Sequence, residues 1–211
     1  MILEKIDHNL PFIRKDNFRI LFPGIKDSSF NQNIKNWLKK GELVALKRGL
    51  YVFNDYWGKC TDKDGYLNYL SSIIYEPSYI SKETALARHG MLAEAVYGIS
   101  SVTEKATRTF NPSLGVFTYS NIKPELYTGF GEQHYIGNKY YVASKSKALF
   151  DYLYFYKRKV SQVNRKCIEE LRINFELMQK EDWDEYEKYL KLANSRKMNK
   201  LYHLIREKYA S

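Results

Sequence analysis

The sequence predicts an α+β fold in which a small N-terminal unit is joined to a mixed α/β body with a helical C-terminal layer. Three observations lead to this prediction. Apolar residues recur with a helical period near both ends of the chain, and a run of short, turn-separated β-type segments fills the middle. The 211 residues are 44% hydrophobic and 16% aromatic, which is enough to bury real cores.

The net charge of +10 is distributed unevenly along the chain. Residues 1–59 carry +5, residues 60–156 carry zero and residues 157–211 carry +5. The neutral middle holds 13 of the 19 tyrosines, which favours a packed, sheet-bearing core. The basic ends are where a polyanionic partner is expected.

The first strong element is a helix predicted over residues 28–40. Phe30, Ile34, Trp37 and Leu38 form one apolar stripe, Ser28 or Ser29 is expected to cap the start, and Gly41 ends the helix. The opposite face is polar: Asn31, Gln32, Asn33, Lys35, Asn36, Lys39 and Lys40. Asn and Gln pair with adenine edges and Lys with phosphates or guanine, although an exposed helix face is polar in any protein.

Directly after this helix, residues 42–53 predict two short strands around a basic turn at Lys47-Arg48-Gly49. A helix followed at once by a hairpin is the layout of a winged helix-turn-helix, with further helices expected over residues 2–10 and 15–22. In that layout the helix enters the major groove, while Lys47 and Arg48 contact phosphates. We therefore expect a DNA-binding domain over residues 1–59, with two copies on a repeated or inverted site because one copy neutralises few phosphates.

The second domain is expected over residues 60–211. Helices are predicted over residues 64–75 and 81–89, the latter capped by Ser81, and a further helix over 144–156. Six strands are predicted between them: residues 99–104, 107–110, 115–119, 127–130, 134–136 and 140–143. From about residue 157, three apolar stripes over residues 168–178, 183–193 and 198–205 predict a helical tail.

Several of these segments together resemble the AbiEi-type antitoxins, the regulator half of bacterial abortive-infection toxin–antitoxin pairs. The matching residues begin with Arg48-Gly49-Leu50-Tyr51 in the hairpin. In the body they are Tyr79-Ile80-Ser81, Thr84-Ala85-Leu86, His89-Gly90, Ser101-Val102-Thr103, Gly115 to Tyr119, Val142-Ala143, Lys147-Ala148-Leu149 and Asp151. The order and spacing match over about half the chain. One departure is Lys145-Ser146, where the family pattern has Pro and Glu.

This resemblance implies a cytoplasmic protein that binds operator DNA, usually at inverted repeats, and represses its own operon through its winged helix. It also implies a body that counters a nucleotidyltransferase-like toxin, in this family often without stable contact. Two alternatives remain for the body. It could be an enzyme or ligand sensor that acts on the toxin or its RNA substrate, or a module that binds the toxin directly.

The sequence carries no motif that predicts an enzyme, a cofactor or a metal. No acidic residue is followed two positions later by Lys, no phosphate-loop motif occurs, and the four histidines are scattered. Cys60 and Cys167 lie far apart in the sequence and form no CxxC motif, so neither a disulfide framework nor a cysteine zinc site is predicted. No stretch is long and apolar enough for a membrane span, and the N-terminus lacks the pattern of a secretory signal.

Six polar residues within the family-like motifs could line a cleft in the body: Thr84, His89, Ser101, Thr103, Lys147 and Asp151. The alternative is that they cap helices and satisfy strand ends, which is the usual role of such groups. Lys145 and Lys147, near the start of a helix, could instead form a small anion site with its backbone amides.

Overall fold

The structure is a computed structural model that describes residues 8–209 of the chain. It has the predicted α+β fold, with a small N-terminal sheet, a larger mixed sheet and a helical C-terminal part. The helix expected over residues 2–10 falls mostly outside the described residues, and residues 8–10 themselves are not helical. No helix within residues 8–209 is both long enough and apolar enough to cross a bilayer.

From residue 8 onward, the N-terminal unit contains two helices and a three-stranded antiparallel sheet with the strand order β1-β3-β2. In chain order its elements are β1 (Ile13–Arg14), α1 (Lys15–Ile20), α2 (Asp27–Lys39), β2 (Leu43–Lys47) and β3 (Leu50–Phe53). The prediction of two helices followed by a hairpin is thus confirmed within one or two residues at each boundary. The short turn at Arg48-Gly49 places Gly49 at φ +79°, which an L side chain rarely adopts.

A cluster of buried aromatic side chains holds this unit together. Phe18 of α1 is fully buried, with its ring stacked on that of Trp37 at 5.3 Å and edge-on to that of Phe30 at 5.8 Å. Ile34 and Phe53 complete the contact between α2 and the sheet. The apolar stripe read from the sequence is therefore the buried face of α2.

Strand β3 connects this cluster to the body because it is buried on both faces. Tyr51 and Phe53 pack in the N-terminal cluster, whereas Leu50 and Val52 pack in the core of the body. The two hydrophobic cores meet at β3, before residue 59. The domain boundary expected after residue 59 stays a prediction. We expect the hairpin and the body to move together because the cores meet there.

Two helices lead from the hairpin into the body. Helix α3 (Asn54–Lys59) was not expected, because its Trp57-Gly58-Lys59 sequence reads as a turn. Helix α4 (Lys63–Ile74) agrees with the prediction and is capped by Asp62, whose side chain accepts a hydrogen bond from the Gly65 amide at 2.8 Å.

The body is built on a six-stranded mixed sheet with the order β6-β7-β5-β4-β9-β8. Its strands are β4 (Tyr79–Ile80), β5 (Ile99–Thr103), β6 (Arg108–Phe110), β7 (Phe117–Asn121), β8 (Phe130–Tyr135) and β9 (Asn138–Ala143). The pairs β5–β7 and β4–β9 are parallel, and the others are antiparallel. Helix α5 (Lys82–Arg88) follows β4 along the chain and packs against β5.

Several details of the body were predicted wrongly. Strand β4 was not predicted, and the separate strands expected over residues 127–130 and 134–136 are the single strand β8. Residues 127–129 are not a strand, because a 3-10 turn at Pro124–Leu126 precedes them and the strand starts only at Phe130. Ser81 does not cap α5, because its hydroxyl donates to a buried carboxylate, Asp151, instead of accepting from the helix.

The C-terminal part covers the sheet with helices. Helix α6 (Lys145–Tyr156) is capped by Ser144 and nearly buried, and α8 (Lys180–Ala193) and α9 (Arg196–Tyr209) pack on it as expected. The single helix predicted from the stripe over residues 168–178 is wrong. That segment comprises the end of α7 (Arg165–Glu169), an isolated bridge between Ile173 and Leu92, and a 3-10 turn at Phe175–Leu177.

Candidate nucleic-acid interface

The polar face of α2 points away from the N-terminal cluster. Six of its seven predicted contact residues are exposed, and Asn33 is half-buried at the edge of the face: Asn31, Gln32, Asn33, Lys35, Asn36, Lys39 and Lys40. We refer to these seven side chains as the α2 face. Burial of Phe30, Ile34 and Trp37 on the opposite side determines which way this face points.

Charges and hydrogen bonds around the α2 face leave its lysines available. Lys35 and Lys39 have no carboxylate within ion-pair distance in the described part of the chain, and Lys40 lies 4.0 Å from Glu42. Gln32 donates to Asn36 at 3.1 Å across one helical turn, an exposed bond that either amide can exchange for a base edge. The α2 face therefore offers amides and cations on one side of one helix.

The start of α2 differs from the prediction. Neither Ser28 nor Ser29 caps it, since the helix begins at Asp27 and its N-cap position is Lys26, without a side-chain bond. Asp27 instead accepts a hydrogen bond from Arg19 of α1 at 2.9 Å. Its negative charge in the first turn also interacts favourably with the positive, N-terminal end of the helix dipole. This ion pair ties α1 and α2 together.

At the hairpin tip, only one of the two predicted phosphate-binding residues is free. Arg48 is exposed and has no ion pair among residues 8–209. Lys47 is turned toward the body and donates to the carbonyl of Ile74 at 2.6 Å. This bond disfavours the expected phosphate contact, which stays a prediction. Burial lowers the pKa of Lys47, helped by the nearby charge of Arg14.

The physical reason for the position of Lys47 is a break in strand pairing. The register between β2 and β3 shifts between Ala45 and Lys47, and such a bulge redirects the side chains that follow it. Leu46 is thereby buried in the core of the body and Lys47 lies beside α4. The Gly49 carbonyl accepts from the Lys15 amide at 2.9 Å, which holds the tip against α1.

Three of the six body residues satisfy backbone groups. Thr84 accepts from the Ser100 amide at 2.8 Å, His89 Nε2 lies 3.0 Å from the Ala143 carbonyl oxygen, and Thr103 donates to the Pro77 carbonyl at 2.6 Å. Ser101 is buried, and its hydroxyl has no hydrogen-bond partner among the described residues. These contacts connect α5 and its neighbouring segments with the strands of the sheet.

Lys147 and Asp151 form a fully buried ion pair in the centre of the body. Both side chains are 0% exposed, and Lys147 Nζ donates to Asp151 Oδ1 at 2.6 Å across one turn of α6. The second carboxylate oxygen accepts from Tyr79 at 2.9 Å and from Ser81 at 2.7 Å. We call Lys147, Asp151, Tyr79 and Ser81 the buried polar cluster.

Burial works against both charges of this pair. It raises the pKa of Asp151 and lowers that of Lys147, and in each case the charge of the partner opposes the shift. The Lys147 ammonium also lies over the ring of Phe150 at 4.9 Å and that of Tyr189 at 5.2 Å. Aromatic rings and one carboxylate thus take the place of water around this cation.

The expectation of a shared cleft is therefore wrong, and the alternative of a structural role for these residues is the one observed. Thr84 borders an open cavity between α4 and α5, but Lys147 and Asp151 do not reach solvent. The anion site expected at Lys145 and Lys147 is also wrong. Lys145 donates to Asp182 at 2.7 Å, and the side chain of Ser144 occupies the Lys147 amide.

Within residues 8–209 no group of three or more metal-binding side chains comes together. One further feature had no signal in the sequence. Lys82, which belongs to no recognised motif, adopts a left-handed backbone conformation with φ +54° beside two cavities, and only the folded structure reveals it.

No protein-family model matches the chain, and a search of curated proteins finds no match either.

Proposed function

We propose that this protein is a DNA-binding regulator whose helix α2 enters the major groove as the recognition helix of a winged helix-turn-helix. The observation that carries the proposal is the α2 face, where exposed amides and lysines lie on one side of a helix whose other side is anchored in a core. Lys35 and Lys39 have no ion-pair partner among residues 8–209. Asn and Gln suit adenine edges, and Lys suits guanine or phosphate. Arg48 at the hairpin tip adds a phosphate contact next to this helix.

More particularly, we propose that the protein is an antitoxin of the AbiEi type that represses its own operon in the cytoplasm. Support comes from the residues that carry the resemblance. Tyr79 and Ser81 come from one motif of the resemblance, Lys147 and Asp151 lie about 70 residues further on, and all four meet at one buried carboxylate. Such contacts between motifs that lie far apart in the sequence are expected if this chain has the same fold as the family it resembles. The body would then counter a nucleotidyltransferase-like toxin.

The number of available cations sets the expected strength of DNA binding. Lys35, Lys39, Lys40 and Arg48 are exposed in one unit, so a single copy neutralises only a few phosphates. Each phosphate contact contributes about 0.9 to the slope of log affinity against log salt. We therefore expect two copies on an inverted repeat to be needed for useful affinity at physiological salt.

Fluorescence anisotropy with a duplex covering the region upstream of the reading frame tests the DNA interface. Replacing both Lys35 and Lys39 by Ala should weaken binding by roughly tenfold or more and reduce the salt slope by about 2 per copy. The matched control replaces Lys188 and Lys191, two exposed lysines of α8, by Ala and removes the same charge elsewhere. Equal affinity of both double variants would overturn the proposed interface.

Co-expression with a nucleotidyltransferase-like toxin tests the antitoxin proposal separately. The wild-type chain should restore growth, and it should do so without co-purifying with the toxin at moderate salt. Stable co-purification would favour the direct-binding alternative. Failure to restore growth, with the DNA interface intact, would leave a DNA-binding regulator that is not an antitoxin.

A further inference from the structure

Two open cavities adjoin each other on the body, and neither is lined by α2 or by the hairpin. Their volumes are about 830 and 300 Å³, within the range of small-molecule sites. Lys82, Glu83 and Tyr152 border both, so the two volumes lie on either side of the start of α5. We call them the large chamber and the basic chamber.

The basic chamber has an excess of positive charge. Lys82, Arg158 and Lys159 line it, and Glu83 is its only carboxylate. Arg158 and Lys159 have no ion-pair partner among residues 8–209, and the Arg158 guanidinium lies 5.1 Å from the centre of the Phe155 ring. Hydroxyl groups complete the lining: Thr107, Ser120, Tyr152 and Tyr156. Cations together with hydroxyl donors are the groups that bind phosphate.

The neighbouring Lys157 reports the same excess of charge. Burial and the adjacent cations Arg158, Lys123 and Lys197 lower its pKa to about 8. Lys157 donates to the hydroxyl of Ser195 at 3.2 Å rather than to a carboxylate. Lys157 does not itself line the basic chamber, but it shows that cations are concentrated at the end of α6 next to Arg158. An anion bound there would relieve the repulsion.

Lys82 is held in the chamber by a strained backbone. Its φ of +54° is unfavourable for a residue with a side chain, and such conformations persist where the surroundings impose them and cluster at ligand sites. The preceding residue is fixed, because the Ser81 amide donates to the Ser100 carbonyl at 2.9 Å and its hydroxyl to Asp151 at 2.7 Å. The buried polar cluster thus determines where Lys82 lies.

The side chain of Lys82 is only 13% exposed, and its ammonium lies between the two chambers. It is 3.3 Å from the hydroxyl of Ser120 and 3.6 Å from the carboxylate of Glu83. Neither contact uses all three of its donors. Lys82 can therefore donate to an anion without losing its present partners.

The large chamber has a different lining, in which apolar and hydroxyl groups form one part of the wall and the charged side chains Glu94, Glu170 and Arg172 another. Arg172 is paired with Glu94. Tyr152, Ile99 and Val96 are among its apolar walls, and the hydroxyls of Ser100 and Thr118 face one another at 3.5 Å. Tyr97 at its rim is 94% exposed, which leaves its ring face open for stacking. Aromatic rings and hydroxyls are the groups that hold bases and sugars.

We propose that the two chambers form one nucleotide site, with phosphate bound by Lys82, Arg158 and Lys159 and with base and sugar in the large chamber. The nucleotide can be a free one or the end of a single-stranded RNA. This inference is independent of the proposed DNA interface, because it uses no residue of α2 or of the hairpin.

Isothermal titration calorimetry on the full chain tests the site. The probes are the four ribonucleoside triphosphates, a tetranucleotide RNA with a 5′ phosphate, and inorganic phosphate. At least one nucleotide or the RNA should bind with a Kd below 1 mM, which is about −4 kcal/mol, and more tightly than inorganic phosphate. Tighter binding of free nucleotide identifies a small-molecule ligand, and tighter binding of the tetranucleotide identifies an RNA end.

Variants decide whether such binding uses this site. Lys82→Met and Arg158→Met should each weaken binding at least fivefold, because each removes one charge-assisted contact with the phosphate. Lys82→Arg should retain binding within threefold, and Lys188→Met on α8 should leave it unchanged. Binding that survives Lys82→Met and Arg158→Met undiminished would overturn the proposal, as would the absence of any binding below 1 mM. If Lys82→Met fails to fold, the Arg158→Met result decides.

Discussion

Replacing Lys147 by Met tests the buried ion pair on which the body is built. The substitution keeps most of the side-chain volume but removes the ammonium that lies 2.6 Å from Asp151 Oδ1. Because both side chains are 0% exposed, no water replaces it, and the carboxylate is left with Tyr79 and Ser81 alone. Removing one partner of a buried pair costs about 3–5 kcal/mol, so the free energy of unfolding should fall by that amount at neutral pH.

The loss should also depend on pH. In the wild type the pair holds one proton in total, wherever it resides, and the unfolded chain holds the same number between about pH 4 and 10. The wild-type pair therefore does not make the free energy of unfolding depend on pH in this range. Without Lys147, burial raises the folded pKa of Asp151 above its unfolded value of about 3.9, so the folded state keeps a proton that the unfolded state has lost. Stability then falls as pH rises, by up to about 1.4 kcal/mol per pH unit until the folded pKa is reached.

Urea unfolding followed by circular dichroism at pH 5, 6.5 and 8 measures both effects. Lys191→Met, an exposed lysine of α8, is the matched control and should change stability by less than about 0.5 kcal/mol. Adding Asp151→Asn to Lys147→Met should abolish the pH slope, because an amide keeps an acceptor oxygen but does not titrate. A loss below about 1 kcal/mol without any slope would refute the description of the pair as buried and coupled.

Three further predictions concern single positions. Gly129→Ala should cost about 2–5 kcal/mol in urea unfolding, because φ is +77° and the new Cβ would clash with the Tyr189 hydroxyl, whereas Gly131→Ala enters open space and should cost less than about 1 kcal/mol. Lys157→Met should stabilise the protein at pH 7, and this gain should shrink between pH 8 and 10.5. The reason is that the folded pKa of Lys157, about 8, lies below the unfolded value, so the unfolded state binds more protons in that window. A gain that does not change with pH would contradict the lowered pKa. Arg48→Ala should reduce the salt slope of DNA binding by about 1 per copy in anisotropy titrations. Lys47→Ala should leave that slope unchanged because its ammonium bonds to the Ile74 carbonyl; the reverse pattern would place the wrong side chain on DNA.

The N-terminal unit could be predicted closely because its determinants are local. The stripe of Phe30, Ile34 and Trp37 has a helical period, and the β-type runs on either side of Arg48-Gly49 specify a hairpin. The same pattern determines which face of α2 is exposed. The position of Lys47 could not be predicted, because it depends on a register shift and on a carbonyl of α4 that is 27 residues away.

In the body, local patterns identified most strands but not their order. The parallel pairing of β4 with β9 joins Ile80 to Val142, and no short-range signal specifies such a contact. In the C-terminal tail, by contrast, a local pattern predicted a helix that the structure does not form. Ile168, Leu171 and Phe175 have helical spacing, yet Ile173 pairs with Leu92 and interrupts the helix. A tertiary contact outweighed local periodicity there.

The candidate site divides in the same way. The α2 face follows from periodicity, whereas the polar residues of the body acquire their roles only from contacts across the fold. Ser81 has the sequence of a helix cap but donates to Asp151, 70 residues away. Lys82, with φ +54°, follows this serine directly, so the contact of Ser81 with Asp151 also bears on where Lys82 lies. Long-range contacts of this kind are what the sequence alone did not reveal.

Selection of binding sites from a pool of random duplexes tests the central claim, that the α2 face reads DNA sequence, most directly. The wild-type protein should enrich an inverted repeat. Gln32→Ala and Asn36→Ala should each relax the preference at one or two positions of each half-site, because each removes an amide that pairs with a base edge. Lys188→Ala should leave the enriched sequence unchanged. Enrichment of no sequence by the wild type, or of the same sequence by Gln32→Ala and Asn36→Ala, would contradict the account.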